Sequence, residues 1–265
     1  MSPSRKNVQP NDGFILVDTH CHLDHDIFTP QLGEILDSAR KAGVKRFVVP
    51  GVNPGEWDKI AGVAQANAGV FAAFGIHPMY ADLAEDSTLQ QLASLAASAV
   101  AIGEIGLDPA YPIPMEIQER AFREQIRLAV DRGLPLLIHC RKVFQRVHLI
   151  LKEEKAGQAG GIMHAFSGSV EMAREFIKLG FAIAISGTVT WNNAMRPISL
   201  ARELPLDSLV LETDAPDLTP QRYRGEPNQP YFLLEVLEAV SRIRVLDPDD
   251  VVIQTTTTTE KILKF

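Results

Sequence analysis

Two histidines separated by one residue follow the first apolar run of the chain, Phe14–Val17. Such a run predicts a buried strand, in which residues two positions apart point to the same side. His20 and His22 would then share one side of the strand, while Cys21 points to the other. Imidazole is the commonest metal ligand in proteins, so the pair predicts a metal site. Two histidines on a half-exposed strand would have the same spacing, and this motif alone does not separate the two interpretations.

Further histidines and carboxylates fall at or just past the ends of predicted strands. Five of the seven histidines do so, together with one glutamate and one aspartate. These residues are His20, His22, His77, His139, His164, Glu104 and Asp214. In a parallel barrel the carboxyl ends of all strands meet on one face, where active sites lie. We therefore expect these side chains to converge.

Six of these residues form a ligand set that is too large for one tetrahedral ion. Buried carboxylates are costly without compensation, and two divalent ions about 3.5–4 Å apart would supply it. We predict that Glu104 bridges the ions, because strand four lies between the two groups of histidines. One ion is assigned His20, His22 and Asp214, and the other is assigned His139 and His164. This mixed set suits magnesium, manganese or zinc.

Glu104 and Asp214 are the predicted catalytic residues of this site. Two such ions can generate a hydroxide that attacks at neutral pH. Asp214 could orient this nucleophile or accept its proton. The sequence therefore predicts a two-metal hydrolase.

Three residues are weaker candidates for substrate binding. His77 follows the third strand, and a substrate contact or a structural role would explain it equally well. Arg141 stands two residues after His139 and would share its face, where it could contact a phosphate or carboxylate. We predict that Ser167 and Gly168 open the helix after strand six, where backbone N–H groups could hold an anion or only cap the helix.

Four further residues lie beside the predicted ligands. Asp24 and Glu212 could orient ligand histidines through hydrogen bonds. Cys21 and Cys140 each follow a histidine of the site but should point away from it. We interpret both cysteines as packed thiols.

Apolar strands alternate with amphipathic helices along the chain. The predicted strands are Phe14–Val17, Arg46–Gly51, Val70–Gly75, Val100–Glu104, Pro135–His139, Gly161–His164, Phe181–Ser186 and Ser208–Glu212. The predicted helices are Pro30–Ala42, Trp57–Asn67, Ser87–Ala97, Glu116–Asp131, Val143–Lys155, Val170–Leu179, Met195–Glu203, Tyr231–Arg244 and Asp249–Phe265. This order predicts an α/β fold, a (β/α)8 TIM-type barrel with an extra C-terminal helix. A doubly wound open sheet would not explain why histidines and carboxylates lie at the ends of five strands.

The chain is divided into a flexible N-terminal tail, residues 1–13, and a barrel domain, residues 14–265. Its 265 residues, 46% of them hydrophobic, suit one barrel of about 250 residues. The run Thr255–Thr259 is unusual, because threonine is a mediocre helix former. Nothing else in the composition suggests a linker.

The net charge of -7 does not indicate a general nucleic-acid binder, so any site for a polyanion must be local. No apolar stretch approaches the roughly 20 residues of a membrane span, and the N-terminal segment lacks the apolar core of a signal peptide. Two cysteines fit a reducing compartment. We expect a cytoplasmic protein with no membrane association and no stable protein partner.

Six segments in the same order resemble those of TatD-type metal-dependent deoxyribonucleases, a family of the amidohydrolase-like superfamily of barrels. The segments are Asp18–Asp24, Gly103–Asp108, Ile138–Arg141, His164–Ser169, Leu211–Pro216 and Arg224–Pro230. The resemblance extends from about Val17 to the C-terminus. Each motif is short, but their common order is specific.

The resemblance implies a two-metal phosphodiesterase that acts on DNA, often as a 3′-to-5′ exonuclease on single strands. It places the metal ligands on the same six residues. Two positions depart from the family pattern: Lys142 stands where many members have Asp, and Glu260 stands where members often have Asn. The first departure bears on substrate preference more than on metal binding.

Two other functions remain open at this stage. The first is a two-metal hydrolase of a small ester, lactone or amide. Superfamily relatives of that kind often use a carboxylated lysine at strand four, but here Glu104 occupies that place and no lysine lies between Lys59 and Arg120. The second is a non-catalytic binding protein, which the complete ligand set argues against.

Overall fold

The fold is an eight-stranded parallel barrel surrounded by helices. The computed structural model describes residues 15–265, so the predicted tail, residues 1–13, lies outside the described residues. The strands are β1 Leu16–Asp18, β2 Val44–Pro50, β3 Val70–Phe74, β4 Ala101–Leu107, β5 Leu136–Cys140, β6 Gly161–Met163, β7 Phe181–Ile185 and β8 Leu209–Leu211. Each strand pairs in parallel with the next one along the chain.

Helices follow the strands, and two close the chain. Within residues 15–265 they are α1 Leu32–Lys41, α2 Trp57–Ala66, α3 Asp86–Leu95, α4 Met115–Arg132, α5 Phe144–Glu153, α6 Val170–Lys178, α7 Met195–Glu203, α8 Leu233–Arg244 and α9 Pro248–Leu263. The predicted (β/α)8 barrel with an extra C-terminal helix is confirmed. No helix in this part of the chain combines the length and the apolar character needed to cross a bilayer.

Alternate residues of the strands belong to two separate apolar clusters. One face of the strands packs under the helices, with large side chains such as Phe47, Phe74 and Phe181. The opposite face forms a smaller cluster of mainly small or branched side chains, as expected for a barrel interior. This cluster comprises Val48, Ala73, Ala101, Leu137, Ile162, Ala182, Ala184, Val210 and Leu263. Because Leu263 comes from α9, the extra helix completes the interior packing.

The seam between β8 and β1 is joined just beyond the two strand ends. The backbone N–H of Thr19 donates to the carbonyl of Leu211 at 3.1 Å. The buried Asp18 carboxylate accepts from the backbone N–H of Thr213 at 2.9 Å and from its hydroxyl at 2.5 Å. Burial raises the pKa of Asp18 to about 7, although these hydrogen bonds lower it. These hydrogen bonds therefore fix the positions of the residues that follow β1 and β8.

Strand β4 is longer than the sequence predicted. The predicted strand ended at Glu104, but β4 continues to Leu107, so Glu104 lies inside the strand. The prediction was wrong because the segment contains Gly103 and Gly106, which normally weaken or interrupt a strand. Gly106 adopts a φ of 153° and lies against the backbone of His139 in β5. The close approach lets β4 extend past its carboxylate.

The threonine run lies in α9, where several hydroxyls donate to the backbone carbonyl four residues earlier. Thr255 donates to Val251 and Thr259 donates to Thr255, both at 2.8 Å. Such bonds satisfy hydroxyls that would otherwise be buried without partners. Thr256 instead donates to the carbonyl of Ile15 at 2.6 Å, which ties α9 to the chain just before β1.

Substitution Gly106→Ala should destabilise the fold strongly. A Cβ at this position would lie 1.8 Å from the carbonyl oxygen of His139, and the φ is one that side chains rarely adopt. We expect a loss of more than about 3 kcal/mol in the free energy of unfolding, measured by chemical denaturation.

The matched control is Gly33→Ala in α1, where a Cβ would meet nothing within 4 Å. Alanine favours helix over glycine by about 0.5–1 kcal/mol, so this variant should be slightly more stable than the parent chain. Equal stability of the two variants would contradict the close approach of β4 and β5.

Candidate metal centre

The Glu104 carboxylate lies at the centre of a ring of imidazoles. Only 3% of the residue is exposed. Its Oε2 is 3.3 Å from Nε2 of His20. Its Oε1 is 2.8 Å from Nδ1 of His139, 3.6 Å from Nε2 of His77 and 3.9 Å from Nε2 of His164. The two oxygens thus face different imidazoles, which is the arrangement that a bridging carboxylate requires.

Asp214 provides a second carboxylate on the opposite side of the same cluster. It follows β8 directly after the seam, and its backbone N–H donates to the carbonyl of His20 at 2.8 Å. Its Oδ1 is 3.4 Å from Nε2 of His164, 3.5 Å from that of His22 and 3.8 Å from that of His20. The seam of the barrel therefore brings together residues that follow the first and the last strand.

Two outer carboxylates contact ring nitrogens of His164 and His139. Glu212 accepts a hydrogen bond from Nδ1 of His164 at 2.9 Å, and Asp108 lies 3.1 Å from Nε2 of His139. Each bond leaves the other ring nitrogen directed at the central carboxylates, as in carboxylate–histidine pairs around metals. The orienting role expected of Glu212 has this geometry, whereas Asp24 makes no hydrogen bond to a histidine within residues 15–265.

The sequence reasoning gave Asp108 no role, although it lies in a recognised motif. Asp108 follows the true end of β4 directly and is 1% exposed. A correct end for this strand would have marked it as a polar residue at the barrel mouth. The signal was missed because the predicted strand stopped at Glu104.

The buried His20 imidazole argues that metal ions belong in this cluster. Only 1% of His20 is exposed, Nδ1 has no hydrogen-bond partner among the described residues, and Nε2 lies 3.3 Å from Oε2 of Glu104 without hydrogen-bond geometry. Burial, together with the charge of His164, lowers the pKa of His20, so the ring offers a lone pair. A buried polar atom without a partner costs free energy that a bound cation would recover.

The described part of the chain contains three groups of potential ligand atoms, and within each group these atoms lie within 4.8 Å of one another. They are His20–His22–Asp214, His20–His164–Glu212 and His77–Glu104–His139. The first group matches the predicted set for one ion. His139 falls in a group with Glu104 rather than with His164, so the assignment of both histidines to a second ion stays a prediction.

His77 faces the cluster as a hydrogen-bond donor. Its Nδ1 accepts the backbone N–H of Met79 at 3.2 Å, which places the ring proton on Nε2, the atom nearest Glu104. Burial lowers the pKa of His77 to about 4, so the ring is neutral at physiological pH. A neutral Nε2–H suits a contact with a substrate oxygen better than metal ligation.

Burial opposes the charge on His22, His139 and His164, but the adjoining carboxylates outweigh it. The pKa rises to about 9 for His22 and His139 and to about 10 for His164. Burial also opposes the charge on Glu104 and Asp214, yet the surrounding imidazoles lower the pKa of Asp214 and hold that of Glu104 well below its ordinary value. Without metal, the protonated rings of His22, His139 and His164 therefore balance the carboxylates, whereas the pKa values of His20 and His77 are lowered.

A cleft of about 940 Å³ opens beside the cluster, and His139, His164 and Asp214 form part of its wall. Arg141, one of the predicted substrate residues, also lines it, with 56% of its side chain exposed. Residues from the loops after β7 and β8 and from the first turn of α7 complete the lining. They include Trp191, Asn192, Arg196, Gln221 and Arg224. The sequence reasoning gave these residues no role.

Ser167 lines the cleft but does not open a helix, so that prediction was wrong. Helix α6 begins at Val170, and Ser169 caps it by accepting the N–H of Met172 at 3.2 Å. Ser167 lies two residues before this cap, and its carbonyl accepts from Arg196 at 3.3 Å. An anion site on the N-terminus of α6 is therefore not formed through Ser167.

Comparisons with known proteins agree with this geometry. The family model described as TatD related DNase matches residues 17–264. YabD of Bacillus subtilis, described as an uncharacterized metal-dependent hydrolase, is 36% identical over 254 residues, which cover 95% of this chain and all of YabD. The crystal structure of YjjV, a TatD homologue from Escherichia coli, has a TM-score of 0.89 at 32% identity and covers 94% and 98% of the two chains.

More distant structures share the fold alone. A mutant PTE-like lactonase from Deinococcus radiodurans has a TM-score of 0.67 at 12% identity, over 97% of this chain and 98% of that one. At this identity the likeness extends to the barrel and not to the substrate.

Metal binding should strengthen as the pH rises from 6 to 9. His22, His139 and His164 are protonated below pH 9 without metal, so a cation must displace protons to reach their lone pairs. Each displaced proton adds about a tenfold gain in affinity per pH unit. Calorimetric titration of the metal-free protein with Mn²⁺ or Zn²⁺, in buffers of different ionisation enthalpy, counts the protons released.

His22→Gln should lower this proton count, because it removes one imidazole beside Asp214. The control His25→Gln changes an exposed histidine and should leave the count unchanged. Affinity that does not vary with pH would contradict the assignment of these imidazoles as ligands.

Proposed function

Since the chain belongs to the TatD-related DNase family, we propose that it is a divalent-metal-dependent deoxyribonuclease that hydrolyses phosphodiester bonds of single-stranded DNA. The proposed polarity is 3′ to 5′. Two ions, magnesium, manganese or zinc, are held by His20, His22, Glu104, His139, His164 and Asp214. The family provides the reaction class, and the cleft supports the choice of a polyanionic substrate.

The observation that carries this proposal is a set of three arginines on the cleft wall without close carboxylate partners. Within residues 15–265, Arg196 and Arg224 form no ion pair, and the nearest carboxylate oxygen to Arg141, on Asp108, is 4.0 Å away. Arg222, two residues before Arg224, is by contrast paired with Glu235 at 3.1 Å. In a chain of net charge -7, unpaired guanidinium groups beside a ligand cluster suit phosphates.

The bound ions would polarise a water for attack and neutralise charge that develops on the phosphate. Asp214 is ionised, because its pKa is lowered, and 13% of its side chain is exposed, so it can accept a proton from the attacking water. His77 presents Nε2–H and donates to a phosphate oxygen. Glu212 and Asp108 fix the rings of His164 and His139 without touching the substrate.

Hydrolysis of a small ester, lactone or amide is the second candidate. Apolar side chains in the same cleft, among them Phe166 and Met195, favour it. A neutral substrate would leave Arg196 and Arg224 without anionic partners. We therefore rank this activity below DNA hydrolysis.

Glu104→Gln should abolish DNA hydrolysis while the fold is kept. Glutamine retains the shape of the side chain but loses the charge that faces four imidazoles, so metal content and turnover should fall together. The assay uses protein reloaded with Mg²⁺, Mn²⁺ or Zn²⁺, with 5′- and 3′-labelled single strands, duplex DNA, RNA and a panel of lactones and esters.

The control Glu203→Gln, at an exposed position, should retain full activity. Metal-replete protein that leaves every nucleic acid intact and hydrolyses a lactone would replace the proposed function by the second candidate. Full DNA hydrolysis by Glu104→Gln with little bound metal would overturn the role of the ions.

Arg196→Gln should weaken DNA binding in a salt-dependent manner. Loss of one phosphate contact should raise the KM for single-stranded DNA and reduce the slope of log KM against log salt by about 0.7. The control Arg222→Gln alters a nearby arginine that is already paired with Glu235, so its slope should match that of the parent chain. Identical slopes for all three proteins would exclude Arg196 from the path of the strand.

A further inference from the structure

The two tryptophans of the chain occupy opposite environments. Trp57 is fully buried, and its indole N–H donates to the carbonyl of Gly75 at 3.1 Å. Trp191 is partly exposed on the wall of the cleft that also contains His139 and His164. A large aromatic ring left accessible beside a reaction centre is available to a ligand.

The Trp191 ring is held in place before any ligand binds. Its indole N–H donates to the carbonyl of Thr219 at 2.8 Å, and its backbone N–H donates to Thr188 at 3.1 Å. The guanidinium of Arg224 lies over the ring, 4.9 Å from its centroid. These contacts join the loops after β7 and β8 and remove most of the rotational freedom that binding would otherwise have to restrict.

Within the described part of the chain, no other aromatic ring packs against Trp191. Stacked or edge-on pairs do form elsewhere, such as Tyr223 with Phe232 at 3.9 Å between centroids. Arg224 covers one face of the indole through a cation–π contact. The ring is therefore a restrained surface with a guanidinium on one face and no aromatic partner of its own.

We propose that Trp191, backed by Arg224, is the platform on which a nucleobase of the DNA strand stacks in the cleft. This inference rests on the proposed nuclease function and makes Trp191 a specificity-determining residue. Bases stack on aromatic side chains irrespective of sequence, while nearby arginines bind the phosphates. A base in a duplex is already stacked and paired, so the platform selects single strands with unstacked bases.

Fluorescence tests contact with the ring directly. Trp57 is buried, so a change in emission on DNA binding reports Trp191. The metal-loaded protein is titrated with a phosphorothioate-linked oligothymidylate that resists hydrolysis, and fluorescence anisotropy of a labelled strand monitors binding in parallel. We expect saturable quenching that parallels the binding curve and is absent in Trp191→Phe. Saturated binding without quenching would overturn the platform.

Kinetics locate the stacked base. Trp191→Ala should raise the KM for single-stranded DNA by about 10- to 100-fold with a much smaller change in kcat, while Trp191→Phe keeps most of the affinity. A series of oligonucleotides carries a single abasic site, each at a different position. At one position, the missing base should weaken binding to the parent protein but not binding to Trp191→Ala. The control Tyr231→Ala removes an exposed aromatic side chain outside the cleft and should behave like the parent.

The outcomes separate this inference from the function on which it rests. If DNA is hydrolysed but an abasic site lowers the affinity of the parent protein and of Trp191→Ala equally at every position, the stacking role of Trp191 is wrong. The nuclease function then stands. If the parent protein neither hydrolyses DNA nor binds the oligothymidylate, the proposed function fails, and the inference fails with it.

Discussion

A buried carboxylate surrounded by four imidazoles is the constraint that organises this molecule. Glu104 is nearly inaccessible, and its charge can be kept there only because His20, His77, His139 and His164 contact it from four different segments. Unpaired charge at such depth would be very costly. The four segments must therefore be positioned together, and the parallel barrel does this by bringing the carboxyl ends of its strands to one face.

The convergence of the candidate ligands could be predicted because it depends on strand order more than on detailed structure. His139 and His164 each follow a short apolar run, Leu136–Ile138 and Ile162–Met163, and any parallel barrel would place them on the same face. Glu104 lies among four imidazoles although its strand does not end there, and its role as a bridging ligand stays a prediction. Histidines and carboxylates near strand ends can be recognised in the sequence even when a strand boundary is wrong by several residues.

Residues in irregular loops carried no comparable signal. Trp191 lies in the loop after β7, in a segment without periodicity, and only the folded chain places it on one wall with Arg196 of α7 and Arg224. The role of the threonines in α9 was likewise beyond the sequence, since Thr256 reaches a carbonyl 241 residues away. A hydroxyl can donate to many acceptors, and composition does not determine which one lies nearby.

The joint between β8 and β1 has a consequence for the order of events during protein synthesis. Asp18 and Thr213 are 195 positions apart, and His20 lies beside Asp214 only after that joint forms. A ribosome releases the N-terminal histidines long before it has made the aspartate. The nascent polypeptide therefore cannot complete its cation-binding pocket until the eighth strand emerges, and loading must come late in biogenesis.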